Sequence, residues 1–133
     1  MAAQQQSLVQ WVEQINDTLF IQPDNEISAK AVEDLVDPSL ITKINHNVYN
    51  YEQFKGGLQY VRNSTTATQD VFKVLLQWEN PEKPDGVVAV LSEWRVKDNA
   101  TGKETKKVNI ILWEVKWIDG KRKLTGQTEV EAV

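Results

Sequence analysis

Residues 104–133 read ETKKVNIILWEVKWIDGKRKLTGQTEVEAV, and this stretch decides the fold class. Apolar and polar side chains alternate along residues 104–119 and again along residues 121–133. A two-residue period of this kind is typical of β-strands with one buried face. The dipeptide Asp119-Gly120 between the two runs is a strong signal for a tight turn between antiparallel strands. We therefore predict a long β-hairpin at the end of the chain.

Two further strand patterns precede this hairpin, at residues 70–79 and 86–98. Turn-forming residues separate the strands at positions 80–86 and 99–102. The second half of the chain therefore reads as an antiparallel meander of four strands. Residues 63–69 are polar, and we expect a loop there.

The first half of the chain has the three-to-four residue period of helices instead. Ser7 and Gln10 form a capping-box pattern before an apolar stripe that extends to Leu19, and a second helix is expected from near Ser28 to Asp37-Pro38. A short strand is predicted at residues 40–47, and a second capping-box pattern at Asn50 and Gln53 opens a third helix. Helices followed by a meander predict an α+β fold.

Length, composition and charge exclude several classes of protein. A chain of 133 residues fits a single domain, residues 1–133. With no cysteine and one histidine, a metal site is not expected, and a net charge of −4 disfavours nucleic-acid binding. No apolar run is long enough to cross a membrane, and the first eleven residues lack the pattern of a secretory signal. We therefore expect a soluble, cytoplasmic protein.

Side chains on a strand alternate between two faces, so each strand divides into two sets. The set predicted to face the helices is mostly apolar, and its polar exceptions are Ser92, Asn109 and Thr128. Four tryptophans belong to this inner set: Trp78, Trp94, Trp113 and Trp117.

The other set carries most of the charges, including Glu93 and Glu114, together with Gln127, Glu129 and Glu131. This outer face also has apolar members, and apolar area of that extent usually marks an interface. The alternatives are a cover provided by helices and a β-bulge that exchanges the two faces over part of a strand. The apolar members are Leu75, Val87, Ala89, Leu91, Val108, Ile110 and Leu112.

The order of elements, the strand ending in His46-Asn47 and the turn Ile118-Asp-Gly-Lys121 resemble the SnoaL-like branch of the nuclear transport factor 2-like superfamily. The resemblance implies N-terminal helices packed in the concave face of a strongly curved, mostly antiparallel sheet, a cone-shaped half-barrel with an apolar pocket at its open end. It implies no single activity. The carboxylates of ketosteroid-isomerase-like members have no counterpart at residues 44–47 or at Leu112 and Trp113.

His46 lies where this superfamily places its catalytic base, and imidazole exchanges protons near neutral pH. We therefore take it as the candidate acid/base, although a hydrogen-bonded or solvated histidine at a strand end is an equally simple interpretation. The remaining candidates are ligand-binding residues for which ordinary packing is the alternative. They are Asn45, Tyr49, Tyr60, Trp78, Ser92, Trp94, Asn109, Trp113 and Thr128.

Two hypotheses of function follow. The first is a SnoaL-like small-molecule pocket protein, a cofactor-free isomerase, cyclase or dehydratase (lyase) acting on an apolar polyketide- or terpenoid-like substrate through His46. The alternative is a non-catalytic ligand-binding or dimerisation module, so whether the protein is an enzyme stays open. For either, the expected partners are an apolar small molecule and a second copy of the chain, joined as a homodimer through the outer sheet face. No cofactor is expected.

Overall fold

The computed structural model describes residues 6–133. The first five residues lie outside that range, and they are part of the segment from which a cytoplasmic protein was predicted. The helices are α1 Leu8–Asn16, which continues as a π-helical turn Asp17–Ile21, α2 Asn25–Leu35 and α3 Tyr51–Ser64. The strands are β1 Val36–Ile44, β2 Asn47–Asn50, β3 Thr65–Glu79, β4 Gly86–Asp98, β5 Glu104–Ile118 and β6 Lys121–Ala132.

The six strands form one open sheet in the order β2-β1-β6-β5-β4-β3. All neighbours are antiparallel except β1 and β6, which are parallel. The helices pack against this sheet, and a single apolar cluster joins Leu8 and Val12 of α1 to Val88, Trp113 and Leu124 of the sheet. The predicted α+β class, with helices on a mostly antiparallel sheet, is confirmed.

Both predicted capping boxes are present. The Ser7 hydroxyl accepts from the backbone of Gln10, and Asn50 does the same for Gln53, while each glutamine side chain accepts from the cap residue's own N–H. These contacts pair backbone donors that a helix start otherwise leaves free. The predicted start of α2 near Ser28 is late, because Asp24 already caps the helix by accepting from Glu26 and Ile27.

The predicted strand at residues 40–47 is in fact two strands joined by a turn at Asn45 and His46. The first of them, β1, begins at Val36 and runs through Pro38, so the helix ends earlier than predicted. Its register against β6 shifts between Val36 and Ile41, where proline lacks an N–H for the ladder. The predicted loop at residues 63–69 is also wrong, because α3 continues to Ser64 and β3 starts at once.

A β-bulge in β6 reverses which side chains face the helices. Glu114 pairs with Gly126 and Val115 with Leu124, so Thr125 has no partner of its own. Beyond it, Gln127 and Glu129 lie opposite the inward residues of β5 and are buried. The prediction that Gln127, Glu129 and Glu131 lie on the outer face is therefore wrong. The same bulge moves Thr128 and Val130 to the outer face.

A second bulge acts in the same way on β3. Val74 pairs with Val90 but Leu76 pairs with Ala89, so Leu75 is the extra residue. Leu76 and Trp78 therefore turn outward and are 73% and 57% exposed, which corrects the prediction that both face the helices. Glu93 and Glu114 are exposed on the outer face and Trp113 is buried inside, as predicted.

No helix among residues 6–133 is long and apolar enough to cross a membrane.

Two glycines have opposite surroundings, which gives a test of the packing. A Cβ added to Gly86 would overlap the backbone oxygen of Trp78 and a methyl group of Leu8, whereas one added to Gly57 would meet nothing within 4 Å. We expect Gly86→Ala to lower the free energy of unfolding by about 1–3 kcal/mol, the usual cost of overpacking. Gly57→Ala should raise it by up to about 1 kcal/mol, because alanine is the better helix former. Urea unfolding of both variants measures the two effects, and equal effects of one sign would contradict this packing.

Candidate functional site

Three polar side chains meet on the inner face of three neighbouring strands. Thr42 of β1 is in register with Gln127 of β6, and Gln127 pairs in turn with Trp113 of β5. All three residues are buried, with 3%, 3% and 0% exposure respectively. The hydroxyl of Thr42, the amide nitrogen of Gln127 and the indole nitrogen of Trp113 have no hydrogen-bond partner among residues 6–133. We call these three residues the deep polar cluster.

Unpaired buried polar atoms are costly, and each removes about 1–3 kcal/mol of stability. Native proteins therefore leave few of them, and a group of them needs a partner such as a water, an ion or a ligand. Two more such atoms, Asn109 Oδ1 and Trp94 Nε1, lie on inner positions of β5 and β4. The interior of the cone thus offers unpaired hydrogen-bonding groups at several positions.

A carboxyl group lies beside the deep polar cluster. Glu129 is the next inward residue after Gln127 on β6, is buried, and accepts a hydrogen bond of 2.8 Å from the Asn109 amide. Burial, and then the neighbouring Glu131 carboxyl, raise the pKa of Glu129 to about 7, while the Asn109 bond acts in the opposite direction. Lys107, which lies 3.1 Å from Glu131, also acts to lower the pKa of Glu129. Glu129 is therefore poised to exchange a proton near neutral pH.

The π-helical turn helps to build the site. It places Phe20 edge-on to the Trp113 ring, with centroids 6.2 Å apart, a favourable arrangement for two aromatic rings. Such turns widen a helix by one residue and are frequent at functional sites. On the same inner face, nearer the β3 edge of the sheet, Asn16 donates to Gln69, and Gln69 donates to Ser92. This chain of bonds ties α1 to β3 and β4.

His46 occupies an exposed turn between β1 and β2. Its neighbour Asn45 has a positive φ of 55° and braces β6: the Asn45 backbone N–H donates to the Glu129 carbonyl, and its side chain bonds both backbone groups of Glu131. Asn45 therefore positions the strand that carries the buried carboxyl. The acid/base role of His46 stays a prediction. The His46 side chain is exposed in the turn and is not one of the buried polar groups.

The other predicted ligand-binding residues divide into two groups. Ser92, Asn109 and Trp113 are buried on the inner face, and Trp94 and Tyr49 are half-buried. Tyr60 on α3 is 73% exposed, and Trp78 and Thr128 lie on the outer face because of the two bulges.

Sequence reasoning missed Thr42, Gln127 and Glu129. One signal was available, since a glycine inside a strand pattern, here Gly126, often marks a bulge. Within residues 6–133 no group of three His, Cys, Asp or Glu side chains is arranged to hold a metal ion.

No protein-family model and no curated protein matches this sequence. Solved structures do match it in shape. A nuclear transport factor 2-like protein of unknown function from Prochlorococcus sp. NATL2A superposes with a TM-score of 0.73 at 11% identity, over 96% of this chain and 95% of that one. The chain has the nuclear transport factor 2-like fold.

Two other structures with this fold carry names that indicate chemistry. A ketosteroid isomerase-like protein from Erwinia carotovora atroseptica matches with a TM-score of 0.66 at 9% identity, over 84% of this chain and 83% of that one. A protein from Mesorhizobium loti described as a SnoaL-like polyketide cyclase matches with a TM-score of 0.55 at 14% identity, over 93% and 98%. At these identities the likeness establishes the shared fold, and it confirms the resemblance seen in the sequence at that level.

The buried carboxyl predicts a pH-dependent stability. Because the pKa of Glu129 is about 7 in the folded protein against an ordinary 4.5, the folded state binds more protons than the unfolded state between these values. The extra proton on Glu129 stabilises the folded state. This stabilisation is complete below pH 4.5 and is lost as the pH rises through 7, a change of roughly 1–3 kcal/mol in the free energy of unfolding. In Glu129→Gln the difference in unfolding free energy between pH 5 and pH 8 should shrink by that amount.

Glu13→Gln is the matched control, because Glu13 is exposed on α1, away from the sheet. Urea unfolding at both pH values should show the same pH dependence for this variant as for the wild type. An unchanged pH dependence in Glu129→Gln would mean that Glu129 is not buried as described.

Proposed function

We propose that the protein binds a small, largely apolar molecule inside the cone, with a polar group of that molecule against the deep polar cluster. The observation that carries the proposal is the set of unpaired buried atoms on Thr42, Gln127 and Trp113. Binding of a ligand would recover the hydrogen bonds that these atoms lack, which gives such a site both affinity and orientation.

The cluster also indicates which polar group would fit. The amide nitrogen of Gln127 and the indole nitrogen of Trp113 can only donate, and the hydroxyl of Thr42 can donate as well. A ligand should therefore present an oxygen that accepts, such as a carbonyl or hydroxyl oxygen. Apolar side chains surround this point on the inner face, including Val88, Ile111 and Val115, so the rest of the ligand should be apolar.

Glu129 extends the proposal from binding to catalysis. A carboxyl with a pKa of about 7 can donate or accept a proton at neutral pH, and this one sits one inward position along β6 from Gln127. We propose that any isomerase, cyclase or dehydratase activity would use Glu129 as its acid/base, in the role that the sequence suggested for His46. The names of the ketosteroid isomerase-like and cyclase structures support this class of chemistry.

A pair of probes tests the binding site. 2-Naphthol and naphthalene share one apolar ring system, but only 2-naphthol carries a hydroxyl group. We expect the wild type to bind 2-naphthol more tightly, and Gln127→Met to reduce the preference by about tenfold or less, the value of one modest hydrogen bond. Affinities from calorimetry give the comparison.

His46→Ala is the control, since His46 is exposed in the turn and should leave both affinities unchanged. Equal affinities of the wild type for the two probes, or a preference lost in His46→Ala and kept in Gln127→Met, would contradict the proposed site.

We also propose that the outer sheet face joins two copies of the chain. The two bulges add Leu76, Trp78 and Val130 to the apolar residues that the sequence had placed there. Ile110 lies at the centre of this patch, paired with Leu91 on one side and Val130 on the other. Exposed apolar patches of this extent usually mark an interface, and one continuous patch across four strands suits the self-complementary surface of a twofold dimer.

Two isoleucines provide a matched test of the dimer. Ile110 is 43% exposed on the outer sheet face, and Ile27 is 51% exposed on α2. Ile110→Lys should convert the dimer to monomer in sedimentation velocity at micromolar concentration, because a lysine at the centre of an apolar interface leaves a buried, unpaired charge. Ile27→Lys should leave the dimer intact. A wild type that sediments as a monomer would exclude the interface.

A further inference from the structure

The unpaired atoms of the deep polar cluster are closed off from solvent. Each exposes less than 1 Å² of surface, as does the unpaired indole nitrogen of Trp94. If these atoms bind a ligand, as the proposed function requires, the ligand cannot reach them in the conformation described. Some element of the fold has to move.

Helix α3 is placed to control access. It connects β2 at one edge of the sheet to β3 at the other edge, so it crosses from one side of the open sheet to the other. It contacts β1, the strand that carries Thr42 of the deep polar cluster, and it also contacts β2, β3 and α2.

Helix α3 is also the least firmly packed of the three helices. Of its 14 residues only Leu58 is buried, whereas α1 buries four of nine, including Leu8 and Val12. A small groove of about 40 Å³ lies between α3 and α2. Few buried contacts and a gap beside the helix give it a low free energy of local opening.

The weakest point of α3 lies in its middle. Gly56 and Gly57 precede Leu58, and a Cβ at either glycine would meet nothing within 4 Å, so neither is needed for close packing. Two glycines in a helix interior favour local unwinding, because glycine is among the poorest helix formers.

Both ends of α3 are held in place. The capping box at Asn50 and Gln53 fixes the start, and Arg62 donates to the carbonyl oxygens of Leu19 and Gln22 at 2.9 and 2.6 Å near the end. An opening of the helix between these anchors would move its centre and leave its ends attached.

We propose that α3 is the gate of the cone. It breaks transiently at Gly56–Gly57, Leu58 leaves the core, and the deep polar cluster becomes open to a ligand. When the helix re-forms, the ligand is enclosed.

Hydrogen exchange of indole N–H groups measures this opening directly, with no ligand present. The indole N–H of Trp113 is buried on the inner face, and its exchange with solvent by NMR reports how often the interior opens. We expect it to exchange at least tenfold faster, relative to its intrinsic rate, than the central backbone N–H groups of β5. The double variant Gly56→Ala/Gly57→Ala should slow it by roughly 5- to 30-fold, since helix α3 then opens less often.

The matched control is Asp34→Ala, which replaces a poor helix former at an exposed position of α2. It should leave the indole exchange of Trp113 unchanged. Fast exchange that the double alanine variant does not slow would place the opening elsewhere and overturn the proposal. Exchange of Trp113 as slow as that of the β5 backbone would also overturn it, because the interior would then open only on global unfolding.

These outcomes are separate from those of the naphthol experiment. A gate that opens as described, in a protein that does not distinguish 2-naphthol from naphthalene, would refute the proposed ligand site alone. A clear preference for 2-naphthol together with slow indole exchange would refute the gate alone.

Discussion

A single unpaired residue in the last strand sets the character of the interior. The register between β5 and β6 skips Thr125, so the residues after it change faces. Without this bulge, Thr128 and Val130 would point at the helices, and Gln127 and Glu129 would face outward. The cone would then have lost its buried carboxyl group and one member of the deep polar cluster, and the outer face would have lost an apolar residue beside Ile110. The proposed ligand site depends on this one irregularity, and the proposed dimer surface gains Val130 from it.

The fold has to offset the cost of this arrangement. A buried carboxyl and several unpaired polar atoms destabilise the folded state. Part of the cost is recovered locally, because Asn109 donates to Glu129, Lys107 pairs with Glu131, and Asn45 holds the backbone of the same strand. The rest falls to the apolar core beneath, where α1 packs on β3 and β4. A site that carries such a cost without a local partner is typical of functional rather than purely structural regions.

The sequence predicted the fold well where a signal was local. Capping residues marked Ser7 and Asn50 correctly, and the Asp119-Gly120 turn predicted the final hairpin. It predicted the faces of β6 poorly, because side chains were assigned to the two faces by strict alternation. A single bulge inverts that assignment for every residue that follows it in the strand. Only Gly126 hinted at the irregularity.

The effect of bulges also explains which residues of the candidate site the sequence assigned to the correct face and which it did not. Ser92, Asn109 and Trp113 lie on β4 and β5, which pair with each other without a register shift, so alternation placed them inside correctly. Glu129 comes after a bulge and was therefore assigned to solvent. His46 was chosen by its place in the chain, and chain position does not reveal that the strand ends in an exposed turn.

The most direct measurement is the titration of the Glu129 side chain, followed through its carboxyl carbon by NMR. A carboxyl enclosed in the cone beside Glu131 should be half protonated near pH 7. Titration of Glu129 near 4.5, the ordinary value for glutamate, would show that the carboxyl is in water and that β6 does not turn it inward.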